Sequence, residues 1–276
     1  MAAISALNAL SAGRPLRLLN VLVPPGNVRI ARDLPYGEGK RRALDIYQPP
    51  EPGGDRPLAV FFYGGSWKTG AKDEYRFVAT ALARRGMVVA VPDYRLYPET
   101  RFPGFLHDAA EAVAWAEANA GRYGAVPHPF LIGHSAGAYI ALMLALNPAY
   151  LEAAGTDRGR LGGAVGIAGP YDFHPSRFPD IAPIFAGVEE AITQPIAYAD
   201  GESPPLLLLS GSADTTVRPA NTLNLATKVA AQGGQVATRL YPNLGHVGIL
   251  LAFVPLFRRN ASVVGDIERF VRGRRG

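Results

Sequence analysis

Short, uniformly apolar runs recur along the chain, each followed by a stretch whose apolar residues fall at helical spacing. The runs Leu58–Phe62 (LAVFF), Met87–Val91 (MVVAV), Gly163–Ile167 (GAVGI) and Pro205–Leu209 (PLLLL) show no polar alternation. A strand with one wet face would alternate, so these read as strands buried on both faces. Between them, Tyr75, Val78, Ala79 and Leu82 share one helix face, as do Phe105, Ala109, Ala112, Val113 and Ala116. Leu223, Ala226, Val229 and Ala230 form another, and Val263, Val264, Ile267, Phe270 and Val271 a last one. Ala43–Tyr47, Phe130–Ile132 and Val236–Tyr241 read as further strands, and Tyr139–Leu146 as an apolar helix stopped at Asn147-Pro148. Strands and helices in this rhythm predict an α/β fold, a mostly parallel sheet with helices on both faces.

With 276 residues, 48% of them hydrophobic, the chain can bury one large core, and a single domain over residues 1–276 is expected. Residues 1–27 read as an N-terminal arm. Residues 171–200 break the rhythm with prolines and aromatics. They are expected to form a small cap-like insertion over the C-terminal edge of the sheet, where open α/β sheets bind ligands.

Composition removes several functional classes. The net charge is +5, with arginines gathered near the end (Arg258, Arg259, Arg269, Arg272, Arg274, Arg275). There is no basic stripe with stacking aromatics, so no nucleic-acid partner is expected. With no Cys, a disulfide scaffold, a thiolate metal site and a cysteine nucleophile are excluded. No H-x-x-x-H spacing occurs, and neither a metal nor an organic cofactor is expected. No apolar run reaches the ~20 residues of a membrane span. The N-terminal stretch has no basic residue before Arg14 and is interrupted by Ser5, Asn8 and Ser11, which argues against a signal peptide and for a cytoplasmic location.

Gly133-His134-Ser135-Ala136-Gly137 fits G-x-S-x-G between a strand and a helix. A turn that sharp forces Ser135 into a strained backbone and leaves no room for side chains at positions 133 and 137. It presents the serine oxygen at a helix N-terminus, where N–H groups favour developing negative charge. As an alternative, Ser135 would only cap that helix.

A serine hydroxyl needs a base to attack at neutral pH, usually His. The chain holds His107, His128, His134, His174 and His246. His134 lies inside the turn itself, His107 and His128 precede the nucleophile, and His174 precedes the later strands. His246, in the loop after the last strand, remains. Among the acids between Ser135 and His246, Asp214 directly follows the PLLLL strand, which puts it at the same sheet edge. The expected triad is therefore Ser135, Asp214 and His246, with Asp214 orienting the imidazole.

At this point the chain resembles the esterase/lipase branch of the α/β-hydrolase superfamily: hormone-sensitive-lipase-like and feruloyl-esterase-like carboxylesterases and kynurenine formamidases. Tyr63-Gly64-Gly65-Ser66-Trp67 looks like the HGGxW oxyanion loop of that branch, with Tyr63 in place of its His. Asp93-Tyr94-Arg95-Leu96, Gly169-Pro170-Tyr171-Asp172 and Gly211-Ser212-Ala213-Asp214 follow in family order, over roughly residues 40–272. The resemblance implies an α/β-hydrolase fold and an oxyanion loop of Tyr63, Gly64 and Trp67 around donors Gly65 and Ser66, joined by the N–H of Ala136. Asp93 and Arg95 resemble a structural pair beneath that loop. Phe102, His134, Phe173, Val217 and Val247 are candidate substrate-pocket residues. The expected reaction is hydrolysis of a small-molecule carboxylic ester, short-acyl or aryl, through an acyl-enzyme. An arylformamidase or other amide hydrolase would use the same triad. A catalytically silent ligand-binding fold is the reading from another class, and retention of all three triad residues argues against it.

Overall fold

A computed structural model of the chain describes residues 16–51, 53–260 and 262–273. Its centre is an eight-stranded sheet of order β1-β2-β4-β3-β5-β6-β7-β8. The strands are β1 (Arg29–Pro35), β2 (Ala43–Gln48), β3 (Leu58–Phe62), β4 (Val88–Pro92), β5 (Phe130–His134), β6 (Gly163–Ile167), β7 (Leu206–Gly211) and β8 (Val236–Tyr241). Pairs β1/β2 and β2/β4 are antiparallel, and every pair from β4/β3 through β7/β8 is parallel. The uniformly apolar runs are the central strands β3 to β7, in which every residue is buried. β8, at an edge, alternates exposed and half-buried positions.

The helices are α1 (Leu16–Leu22), α2 (Arg76–Ala83), α3 (Gly104–Ala118), α4 (Ala136–Leu146), α5 (Ala149–Ala153), α6 (Ala220–Ala231) and α7 (Val263–Arg272). Every residue of α4 is buried, so its sequence is apolar all round, as a core helix requires. α7 buries only Val263, Val264, Ile267 and Val271, and its polar side faces water.

β1 and α5 have no sequence expectation behind them. β1 carries Arg29, Arg32 and Asp33 among its residues and bulges between Ala31 and Leu34, charged and irregular as an edge strand often is. α1 lies in the segment expected as an arm. Asn20 pins it: its amide donates to the Asp73 carbonyl at 2.8 Å and its carbonyl accepts the Phe77 N–H at 2.9 Å. Residues 1–15 of that arm lie outside the described residues. Residues 171–200 contain a series of short 3₁₀ turns (Pro175–Arg177, Ala182–Ile184, Glu190–Thr193, Pro195–Tyr198) and no α-helix. Among the described residues no helix is long and apolar enough to cross a membrane. Because β3 and β5 to β8 run parallel, the loops leaving them emerge at one edge of the sheet, and the site is built there.

Candidate active site

Ser135 stands between the last residue of β5 and the first of α4, with φ 55° and ψ −123°. Its backbone is in the left-handed region that L-residues avoid, and it stays there because the flanking packing leaves no alternative. A Cβ on Gly133 would lie 2.1 Å from the Gly137 carbonyl oxygen, and one on Gly137 would lie 2.1 Å from that of Phe62. Both positions thus require glycine, and Ser135 is left half-buried, open on one side.

Three loops then converge. His246 Nε2 is 2.9 Å from Ser135 Oγ, and His246 Nδ1 is 2.8 Å from Asp214 Oδ2. The other carboxylate oxygen of Asp214 accepts the N–H groups of Thr216 and Val217, both at 2.9 Å. Those two bonds fix the carboxylate, which is 4% exposed. A carboxylate held on Nδ1 keeps the proton there and leaves Nε2 free to accept one from the serine.

The loop after β3 is held in an unusual shape. Gly65, Ser66 and Trp67 have successive positive φ values of 135°, 53° and 57°. For Ser66 and Trp67 such a backbone costs on the order of 1 kcal/mol each. Thr69 holds Gly65 closed: the Gly65 carbonyl accepts the N–H groups of Lys68 and Thr69 at 3.0 Å. A Cβ on Gly65 would lie 2.2 Å from the Thr69 carbonyl oxygen. Among the described residues, no backbone or side-chain acceptor takes the N–H of Gly65, Ser66 or Ala136. A Cβ on Gly64 would lie 2.9 Å from Ser135 Cβ, so this loop and the serine turn lie against each other.

Tyr63, at the start of the loop, is fully buried and donates to Asp93 Oδ1 at 2.8 Å. Desolvation holds the Tyr63 phenol well above its ordinary pKa, so it remains a donor. Asp93 also accepts the Lys72 N–H at 2.8 Å. Arg95 does not pair with Asp93 but forks onto Asp108, with its closest contact at 2.7 Å. The two residues expected as one structural pair are therefore anchors of two separate contacts.

Four of the five candidate pocket residues fall into two groups. Phe102 and Phe173 belong to a packed aromatic cluster. Trp67 stacks on Phe173 with centroids 6.0 Å apart and meets Tyr139 and Phe185 edge-on at 5.1 Å each. Phe102 packs on Phe185 at 5.6 Å. Val217 and Val247 are half-buried, beside the Asp214 turn and next to His246.

His134 is 3% exposed and turned toward the loop that carries His246. Its Nε2 lies 3.1 Å from the His246 carbonyl oxygen. A carbonyl only accepts, so that nitrogen carries the proton. Its ring lies 4.9 Å from the His246 ring. Burial, and after it the neighbouring His246, pull the His134 pKa from 6.5 down to about 3, so the ring stays neutral. Sequence placed His134 in the turn but carried no sign that its side chain reaches across to the His246 backbone. Among the described residues no group of three or more His, Asp or Glu is placed to hold a metal ion.

Comparison with known proteins gives matches over most of this architecture. Residues 44–176 match the BD-FAE family and residues 187–252 the prolyl oligopeptidase family. A probable isoprenylcysteine alpha-carbonyl methylesterase of Oryza sativa is 34% identical over 150 residues, covering 52% of this chain and 35% of that protein. Kynurenine formamidase of Danio rerio is 29% identical over 191 residues, 68% of this chain and 61% of that protein. The chain thus spans less than two thirds of the length of these relatives. Among solved structures, a truncated carbohydrate esterase from gut microbiota superposes with a TM-score of 0.74 at 19% identity, covering 89% of this chain and 96% of that one.

Proposed function

We propose, from its likeness to the esterase/lipase branch of the α/β-hydrolase superfamily, that the chain is a serine hydrolase that cleaves carboxylic esters through an acyl-enzyme. The observation that carries the reading is the continuous path from Asp214 through His246 to Ser135, at 2.8 and 2.9 Å. In this reading the Ser135 oxygen attacks the ester carbonyl while His246 Nε2 takes its proton. The tetrahedral oxyanion sits on the N–H groups of Gly65, Ser66 and Ala136. His246 returns the proton to the leaving alcohol. Water, deprotonated by the same nitrogen, then releases the carboxylic acid and restores the serine.

The packed cluster of Trp67, Phe173, Phe185 and Tyr139 flanks the oxyanion loop and the first turn of α4. A wall of this kind favours small acyl groups, of about C2 to C6, over long chains. The likeness to a formamidase supports a second reading, hydrolysis of an aryl formamide, whose formyl group is the smallest acyl group.

Turnover of p-nitrophenyl acetate and butyrate, set beside that of N-formylkynurenine, separates the two readings. A fluorophosphonate probe should label Ser135, and Ser135→Ala should lower kcat by ~10⁴-fold or more. Labelling at another serine, with Ser135→Ala still active, would overturn the assignment.

A further inference from the structure

The oxyanion loop needs something to hold its shape, and the contacts that do so gather on residues outside it. The loop leaves β3 at Tyr63 and returns at Gly70 to Lys72. These two ends are pressed together: a Cβ on Gly70 would lie 2.8 Å from both the Gly64 carbonyl oxygen and the Tyr63 ring. One guanidinium spans them. Arg41 Nη2 donates to the Tyr63 hydroxyl oxygen at 2.7 Å and to the Gly70 carbonyl at 2.9 Å, and its Nε donates to the Tyr94 carbonyl at 2.9 Å. One carboxylate spans them from the other side. Asp93 Oδ1 accepts the Tyr63 hydroxyl and the Lys72 N–H, each at 2.8 Å. Arg41 and Asp93 lie 3.8 Å apart, which closes the ring of contacts. Tyr94 adds a hydroxyl bond to the Tyr63 carbonyl at 2.8 Å.

We propose that Arg41 is a positioning residue for the oxyanion hole: with Tyr63 and Asp93 it clamps the two ends of the loop and so aims the Gly65 and Ser66 N–H groups at the charge that forms on the substrate. The proposal rests on the hydrolase reading above. Arg41 touches no reacting atom. Its three donor bonds go to three acceptors fixed on different parts of the chain, which a planar fork can satisfy and a lysine ammonium cannot. The hydroxyl of Tyr63 is the shared centre of the clamp, accepting from Arg41 and donating to Asp93. Donors in the hole act on the transition state and not on the bound ester, so loosening them lowers kcat and leaves KM nearly unchanged.

The test is steady-state hydrolysis of p-nitrophenyl acetate together with the rate of Ser135 phosphonylation, which also builds charge on an oxygen in the hole. Arg41→Ala should lower kcat by ~10-fold or more, leave KM within about threefold, and slow phosphonylation by a similar factor. The Arg41 side chain is 26% exposed, so millimolar guanidinium should restore part of the lost kcat, whereas an alkylammonium should not. Arg41→Lys should behave like Arg41→Ala. Tyr63→Phe keeps the ring packing, and combining it with Arg41→Ala should cost little more than either change alone. If Arg41→Ala does not fold, Tyr63→Phe decides by the same kcat and phosphonylation criteria. Wild-type kcat in the variants, a loss confined to KM, or fully additive losses would overturn the clamp. An inactive wild-type chain would instead overturn the hydrolase reading, and the clamp with it.

Discussion

Replacing His134 by Gln removes an imidazole that the fold keeps neutral, while an amide N–H remains to meet the His246 carbonyl. His134 titrates near 6.5 when solvated, and burial takes it to about 3 in the native chain. Between those values the unfolded chain binds a proton that the folded chain refuses. Stability therefore rises with pH across this window and is lost as pH falls from 6.5 toward 3. One proton's difference is worth about 1.4 kcal/mol per pH unit, so at about pH 5 the imidazole destabilises the fold by about 2 kcal/mol relative to neutral pH. Urea unfolding followed by circular dichroism at about pH 7.5 and about pH 5 measures this directly. Other titrating groups are common to both proteins and cancel in the difference. The wild type should lose about 2 kcal/mol more than His134→Gln on acidification. Parallel losses would show that the native fold admits a proton at His134, and the account of a neutral buried imidazole there would then be wrong.

Asp214→Asn should fold normally but misorient the imidazole, lowering kcat by up to ~10⁴-fold, whereas Asp180→Asn and Asp200→Asn should leave kcat near wild type. A dead Asp180→Asn or Asp200→Asn variant would move the acid elsewhere. Gly65→Ala should lower kcat by ~10²-fold, because the added methyl meets the Thr69 carbonyl and forces the loop open. A thermal melt run alongside separates that effect from global unfolding, and wild-type turnover would place the hole elsewhere. Among p-nitrophenyl esters, kcat/KM should be highest between about C2 and C6 acyl groups and fall for longer chains, for want of space beside the Trp67 cluster. Faster hydrolysis of long-chain emulsified triglycerides would contradict this.

The sheet was legible because buried parallel strands must be apolar on both faces, and LAVFF, MVVAV and PLLLL can do little else. β1 was not, since an edge strand with Arg29, Arg32 and Asp33 on it looks like a surface loop. Ser135, Asp214 and His246 could be selected in sequence because chain order and the strand preceding each limit where it lies, and the structure brings their side chains within hydrogen-bond reach. Arg41 could not be selected. It is one arginine among many, in a polar stretch before β2, and its partners lie 22, 29 and 53 residues away. His134 was legible as a position but not as a direction. Which way a side chain turns from so tight a bend depends on what packs around it, here Gly64 on one side and the His246 loop on the other.

The three residues proposed as the triad come from widely separated parts of the chain: His246 lies 111 positions from Ser135 and 32 from Asp214. Between the acid and the base runs the exposed turn Gln232-Gly233, which joins α6 to β8. Cutting the polypeptide there would leave Ser135 and Asp214 on one fragment and His246, with β8 and α7, on the other. Neither fragment alone carries a complete proton path, so ester turnover would appear only when the two reassemble along the β7/β8 pairing. In the proposed hydrolase reading, colour released from a p-nitrophenyl ester would then report the pairing of the last strand with β7.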